Sequence, residues 1–366
     1  MSKSQSQRLL SLDVFRGVTV AAMTLVNNPG DWGHIYPPFE HSVWNGCTPT
    51  DLVFPFFLFI VGVSIVYSME RKVADPSKHG KLVLGALRRG FLLIAISWVI
   101  HMILHPGFEH MRFPGVLQRI GVVFFVCAVL YIKTSQRVRD WLFVIFLVGY
   151  YVIMNFVPVP DTGVPSLEPA TNMGAWLDRL VFTTNHLWKE SKTWDPEGLL
   201  GTIPAICTGL FGIRVGSWLK RKDREDSIKV SWLFTYGVLA VVAGLVWGLF
   251  FPINKALWTS SFVLYTGGWA TIALAFSYWL IDVQGYKRGI GFFLPFGANA
   301  ITAYVLSIFI PHYINLIKLG GSSLYQILYK PYFIPEAASL FSAAVMVLLV
   351  WIPMWILYLR KITIKV

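Results

Sequence analysis

Long apolar runs separated by short polar stretches dominate this chain. Ten of them, at approximately 9–27, 51–69, 82–103, 115–132, 139–157, 197–219, 230–251, 259–281, 290–312 and 337–359, match the roughly 20 helical residues that cross a hydrocarbon core about 30 Å thick. The runs are continuous and do not alternate with period two, which predicts helices and not barrel strands. The expected fold is all-α: a polytopic helical membrane protein with about ten transmembrane helices, forming a single domain over residues 1–366. One long extramembrane segment occupies 158–196. Pro158, Pro160, Pro165 and Pro169 make its first half irregular, and Met173–Phe182 predicts a short helix. A loop of this length is often functional, so it is either a lid over a site or a surface strap.

Composition agrees with a membrane class. The chain is 55% hydrophobic, 16% aromatic and 14% charged, against roughly 25% charged in soluble domains. The net charge of +12 is explained by topology and calls for no nucleic-acid partner. With ten crossings both termini share a side, and the loops on that side hold most of the lysines and arginines. The opposite loops hold only Arg112, Arg179, Lys189, Lys192, Lys255, Lys318 and Lys330. The positive-inside rule then places both termini in the cytoplasm. Asp13 and Arg16 lie inside the first run, which has no small-residue cleavage pattern, so that run is expected to persist as a helix and not as a signal peptide. Cys47, Cys127 and Cys207 show no metal-ligand or disulfide spacing. Cys47, near His41, is a minor nucleophile candidate.

Candidate chemistry lies in the polar residues that a bilayer should exclude. The loop Phe39-Glu40-His41-Ser42-Val43-Trp44-Asn45-Gly46 puts a titratable imidazole at the mouth of the bundle, where it suits proton transfer. Asp13 and Arg16 are three apart and share a helix face, either paired with each other or with Arg16 turned to an anion. Arg88 and Arg89 open the third run, as snorkelling or ligand-binding groups. Arg119 begins the fourth run near the outer boundary; an arginine there works against the orientation rule and is expected to line an internal site. Asn27 and Asn28 end the first run as caps or cavity groups. Asn299, Thr302 and His312 carry the same ambiguity, and Pro295 interrupts the ninth run.

Several ordered blocks carry a resemblance. Ser11-Leu12-Asp13-Val14-Phe15-Arg16-Gly17, Leu25-Val26-Asn27, His41-Ser42-Val43-Trp44-Asn45-Gly46 and Asp51-Leu52-Val53-Phe54-Pro55 come first. Gly115-Val116-Leu117-Gln118-Arg119-Ile120-Gly121 and Asp195-Pro196-Glu197-Gly198-Leu199-Leu200-Gly201-Thr202-Ile203 follow, and Pro295-Phe296-Gly297-Ala298-Asn299-Ala300 is a weaker match further on. Together these blocks resemble the heparan-α-glucosaminide N-acetyltransferase family and its bacterial relatives.

The resemblance implies transfer of acetyl from cytosolic acetyl-CoA to the amine of a terminal glucosamine across the membrane, without a metal. The sequence starts almost at the first block, without the luminal region and extra helix of the lysosomal enzyme. The expected setting is therefore a bacterial inner membrane, and the expected acceptor is a free or cell-wall-derived amino sugar. His41 is the expected general base, because an amine is nucleophilic only when deprotonated. Asn27, at the family position that assists the histidine, is expected to orient the amine or donate to the thioester oxygen. An acetyl-histidine route is the alternative to direct transfer. Arg8, Arg16, Arg88, Arg89 and Arg119 are the candidates for the CoA site, the first four for its phosphates at the cytoplasmic mouth. Asp51, Glu197, Trp44 and Asn45 are the candidates for the sugar, with helix-end roles open for both carboxylates. A homodimer is implied by the relatives. The competing class is an amino-sugar transporter without acyl-transfer chemistry; a carrier should show repeat symmetry and matched broken helices.

Overall fold

A computed structural model describes residues 9–364 and is all-helical apart from a two-residue ladder. In chain order the helices are α1 Leu10–Val26, α2 Val53–Val73, α3 His79–Leu104, α4 Val116–Lys133, α5 Gln136–Phe156, α6 Met173–Phe182, α7 Thr202–Leu219, α8 Asp226–Gly248, α9 Ser260–Tyr278, α10 Leu294–Ala298, α11 Ala300–Leu316, α12 Leu324–Leu328 and α13 Pro335–Leu359. Strands β1 Lys318–Leu319 and β2 Ser322–Ser323 pair antiparallel around Gly320 and Gly321, which both have positive φ, as a tight two-residue hairpin requires.

Seven described helices are long and apolar enough to cross a membrane: Pro49–Val73, Pro76–Leu104, Val116–Lys133, Gln136–Phe156, Thr202–Leu219, Asp226–Gly248 and Pro335–Leu359. The other three expected runs are helical too. α1 has 17 described residues, and α9 mixes Ser, Thr, Gly, Tyr and Trp into its apolar sequence. The run expected at 290–312 is broken, and the break falls at Asn299, not at Pro295, which sits at the start of α10 where proline is tolerated. Asn299 has non-helical φ and ψ. Its side chain accepts the Ile364 N–H at 2.9 Å and donates to the Ile362 carbonyl at 3.0 Å, so the segment after α13 is bonded at the break.

Two compact units are present. The first comprises residues 1–42, 48–54 and 273–366; the second comprises 43–47 and 55–272. In the first, α1, α10, α11 and α13 pack on one another. The backbones of α1 and α10 touch: a Cβ on Gly17 would lie 2.0 Å from the Phe293 carbonyl oxygen, and one on Gly297 2.0 Å from that of Asp13. In the second unit α3 and α4 form an antiparallel hairpin, and α7 packs on both α4 and α5. Gly90 and Gly121 let α3 and α4 approach in the same way, the close-packing device of helices that have no water to expel from between them.

The segment 158–196 has the expected character. Its proline-rich half is turns and bends, and α6 occupies the expected Met173–Phe182, capped by the Asn172 side chain, which accepts the Ala175 N–H at 2.8 Å. α3 starts at His79, so Arg88 and Arg89 lie more than two turns into the helix instead of opening it.

Gly297→Ala should destabilise the protein by about 1–3 kcal/mol through overpacking. Gly85→Ala on α3, where an added Cβ meets nothing within 4 Å, should be neutral or stabilising by up to about 1 kcal/mol. Thermal unfolding of both variants in detergent checks the opposite signs.

Candidate active site

The loop between α1 and α2 is shaped by prolines and short side chains. Pro37–Phe39 and Pro49–Leu52 each form a 3₁₀ turn with proline at its start. Thr48 Oγ1 donates to the Glu40 carbonyl at 2.6 Å and Thr50 Oγ1 to the Pro38 carbonyl at 3.1 Å, which ties the first turn to the second. Asp51 lies at the third position of the second turn. Its side-chain oxygen accepts the Thr48 backbone N–H at 3.0 Å, one arm of a capping box.

That carboxylate also takes His41. The imidazole Nδ1 lies 2.7 Å from Asp51 Oδ1, while Oδ2 accepts the Ser42 N–H at 3.0 Å. The Asp51 side chain is 1% exposed and that of His41 43%. An ionised carboxylate only accepts hydrogen bonds, so the proton on this contact belongs to Nδ1, and Nε2 becomes the basic nitrogen. The expected helix-end role of Asp51 is thus present, together with a contact to the expected base.

Other expected residues of this unit separate into distinct roles. Asn27 is exposed directly after the last residue of α1, and its carboxamide hydrogen-bonds to none of the described residues; Asn28 Nδ2 donates to the Thr24 carbonyl at 2.8 Å. Arg16 Nη1 pairs with Asp13 at 3.1 Å and also donates to the Gly297 carbonyl at 3.2 Å. Both readings of the Asp13 and Arg16 spacing included a shared face, and that face is real. Arg8 lies outside the described residues.

The second unit holds a polar centre built on α4, α6 and the turn before α7. Arg112 forks onto Asp195 through Nε and Nη2, at 2.8 and 2.6 Å, and Nη2 also reaches Glu197. Burial alone would favour the neutral form of Arg112, but Glu197 and Asp195 overcome it and raise its pKa. Arg119 is 2% exposed, lies over the Trp258 ring and donates from Nη2 to the Gly198 carbonyl at 2.9 Å. Its Nε and Nη1 have no hydrogen-bond partner among the described residues. Arg88 is exposed on α3, and Arg89 next to it lies over the Phe124 ring at 4.7 Å. Trp44 donates to the Leu167 carbonyl at 3.1 Å and meets Trp194 edge to face at 5.0 Å. Asn45 accepts from Asn254 at 3.1 Å.

Asp178 is the polar residue that the sequence did not single out. It is the only acid in α6, is 2% exposed, and accepts the Leu199 N–H at 2.8 Å; Gly198 leaves room for its second oxygen. Burial pushes this carboxyl up to about 7, with the charge of Asp195 adding to it and the Leu199 N–H and Arg119 opposing. A lone acid in a helix with an apolar face was the available signal.

These features define a class: an all-helical protein with several membrane-crossing helices, a histidine–carboxylate pair in its first loop and a second, arginine-rich buried centre. The profile of the family described as heparan-alpha-glucosaminide N-acetyltransferase, catalytic, matches residues 8–246, which include both centres. The heparan-alpha-glucosaminide N-acetyltransferase of Mus musculus is 33% identical, with the match taking in 83% of this chain and 54% of that protein; for the Homo sapiens protein of the same name the figures are 33%, 81% and 52%. The chain belongs to this family, and it spans about half the length of these curated relatives.

Because the folded-state pKa of Asp178 lies above its ordinary value of 3.8, the native state holds the proton more tightly than the unfolded chain. The stability this contributes is complete below about pH 4 and is lost as pH rises to about 7, by at most about 4 kcal/mol. Asp178→Asn, which keeps an acceptor for Leu199, should therefore raise the unfolding midpoint at pH 8 relative to the native sequence and change it little at pH 4. Paired thermal melts at the two pH values measure this.

Proposed function

We propose that the protein is a transmembrane N-acetyltransferase that moves acetyl from acetyl-CoA to the amine of a glucosamine-type sugar, with His41 as general base. The observation that carries this reading is the 2.7 Å contact between His41 Nδ1 and the buried Asp51 carboxylate. A carboxylate there fixes the ring orientation and tautomer and stabilises the imidazolium that proton uptake creates. As the sugar nitrogen bonds to the thioester carbon and the C–S bond breaks, Nε2 takes the proton leaving nitrogen and returns it to the departing thiolate. Direct transfer is preferred to an acetyl-histidine, because one positioned base suffices when donor and acceptor share a site. Asn27, with its carboxamide exposed in the same unit, is assigned to orient the amine or to donate to the carbonyl oxygen as it gains charge.

The residues present suit an anionic acyl donor. In the second unit Arg88 and Arg89 are neighbouring exposed guanidinium groups on α3, and in the first Arg16 is a half-buried one on α1; each is matched to phosphate by its planar donors. Arg119 is set apart from this group, since its small buried cavity has no room for a nucleotide. In this reading α1, α9 and the α10–α11 pair complete ten crossings, both termini are cytoplasmic, and the membrane is a bacterial inner membrane. The amine acceptor is taken on the opposite side.

Purified protein in detergent, given labelled acetyl-CoA and glucosamine, should yield N-acetylated sugar. Protein that binds CoA but forms no product would leave the transporter reading in its place. His41→Ala should lower kcat by about 10²–10⁴ with CoA binding nearly intact, and Asp51→Asn should lower kcat in the same sense by presenting the wrong tautomer. A thermal melt separates loss of the base from loss of the fold, and full activity in His41→Ala removes this residue from the mechanism.

A further inference from the structure

The cavity bordered by Arg119, Asp178 and Trp194 measures about 20 Å³, enough for one water-sized group. Most of its polar lining is already bonded. Tyr150 donates to the Leu257 carbonyl at 2.6 Å, both ends of the Asn172 amide are used, and Asp195 is held by Arg112. What remains is two nitrogens of Arg119 with unused N–H groups, Nε and Nη1, and the second carboxyl oxygen of Asp178. A buried guanidinium with two unpartnered nitrogens calls for an acceptor.

Charge narrows the acceptor. Arg112 and Arg119 face Asp195 and Glu197, so these groups already balance, and Asp178 adds at most a further negative charge. An anion would bring uncompensated charge into a buried space, and a cation would face the arginine donors. A neutral oxygen that accepts from Arg119 and donates to Asp178 suits both partners. Beside the cavity the half-buried Trp194 meets Trp44 and Trp188 edge to face, at 5.0 and 5.4 Å, and no described residue accepts the Trp194 indole N–H. Aromatic bodies with a polar edge fit a pyranose, whose C–H faces are apolar and whose rim is hydroxyl.

We propose that this cavity seats a single hydroxyl group of a sugar, with Arg119 donating to its oxygen, Asp178 accepting its proton and Trp194 against the ring outside. The choice of glucosamine as the ligand rests on the acetyl-transfer reading; the hydroxyl seat does not.

The test is equilibrium dialysis of the full chain in detergent with labelled glucosamine, without acyl donor, using a series of mono-deoxy analogues. One analogue should bind about tenfold more weakly than glucosamine to the native sequence. Asp178→Asn and Arg119→Gln should each bind glucosamine about tenfold more weakly and no longer distinguish that analogue. Asp178→Asn keeps the Leu199 contact and serves where Arg119→Gln fails to fold. Equal binding of every analogue, or native affinity in Asp178→Asn, would mean that the cavity holds an ordered water only and overturns the proposal. If the native sequence discriminates between the analogues but transfers no acetyl group, the catalytic reading alone is rejected.

Discussion

The buried carboxylate of Asp51 is the constraint on which the first loop depends. A carboxylate that is 1% exposed is costly unless its lone pairs are filled, and here N–H groups of His41, Ser42 and Thr48 bond to it. Hydrogen bonds to a charged group contribute about 1.5–3 kcal/mol each, so the carboxylate recruits the chain on both sides of it. Because Asp51 stands in the turn that leads into α2, the loop inherits the rigidity of a long helix. An imidazole on a loop of this length would otherwise sample many rotamers. The prolines at 37, 38 and 49 and the hydroxyls of Thr48 and Thr50 reduce the freedom left to the loop.

The second polar centre follows a different rule. Arg112, in the loop before α4, and Arg119, in the first turn of α4, are both drawn to the Asp195–Gly201 segment. Arg112 finds two carboxylates and is saturated by them. Arg119 finds a backbone carbonyl, an indole face and empty donor capacity. The saturated arginine fastens the loop before α4 to the turn before α7. The unsaturated one retains its binding capacity within the frame that its neighbour has fixed. A network in which every member was satisfied would hold the same shape but offer nothing to a ligand.

Much of this was legible in the sequence, for identifiable reasons. Apolar runs report helices because backbone groups in a bilayer must bond within the segment, so α2 through α8 lie close to their expected places. α6 was readable from Met173–Phe182 alone, bounded by the Asn172 cap and an irregular, proline-rich stretch. The ninth run was misplaced at its break because proline is a conspicuous signal, whereas Asn299 works through partners 63 and 65 residues away. The same limit applied to the sites. His41 was visible as an imidazole in an apolar chain, and its partner Asp51 was visible as a carboxylate, but only folding shows that they meet. The contacts of Arg112 with Asp195 and of Asp178 with Leu199 leave no local pattern. A single acid such as Asp178 beside Arg179 reads as an ordinary solvated pair, although Arg179 turns instead to Asp161.

The anchoring of the C-terminal segment at Asn299 sets an unusual rule of sequence tolerance. Ile362 and Ile364 are bonded through backbone groups, and both side chains are exposed. Their identities are therefore open to drift, while the number of residues between Leu359 and Ile362 is not. An insertion or deletion of one residue there would shift the register and leave the Asn299 amide facing the wrong backbone groups. That segment should vary freely in composition among related chains while holding its length, a signature ordinarily associated with turns and here imposed by a broken helix.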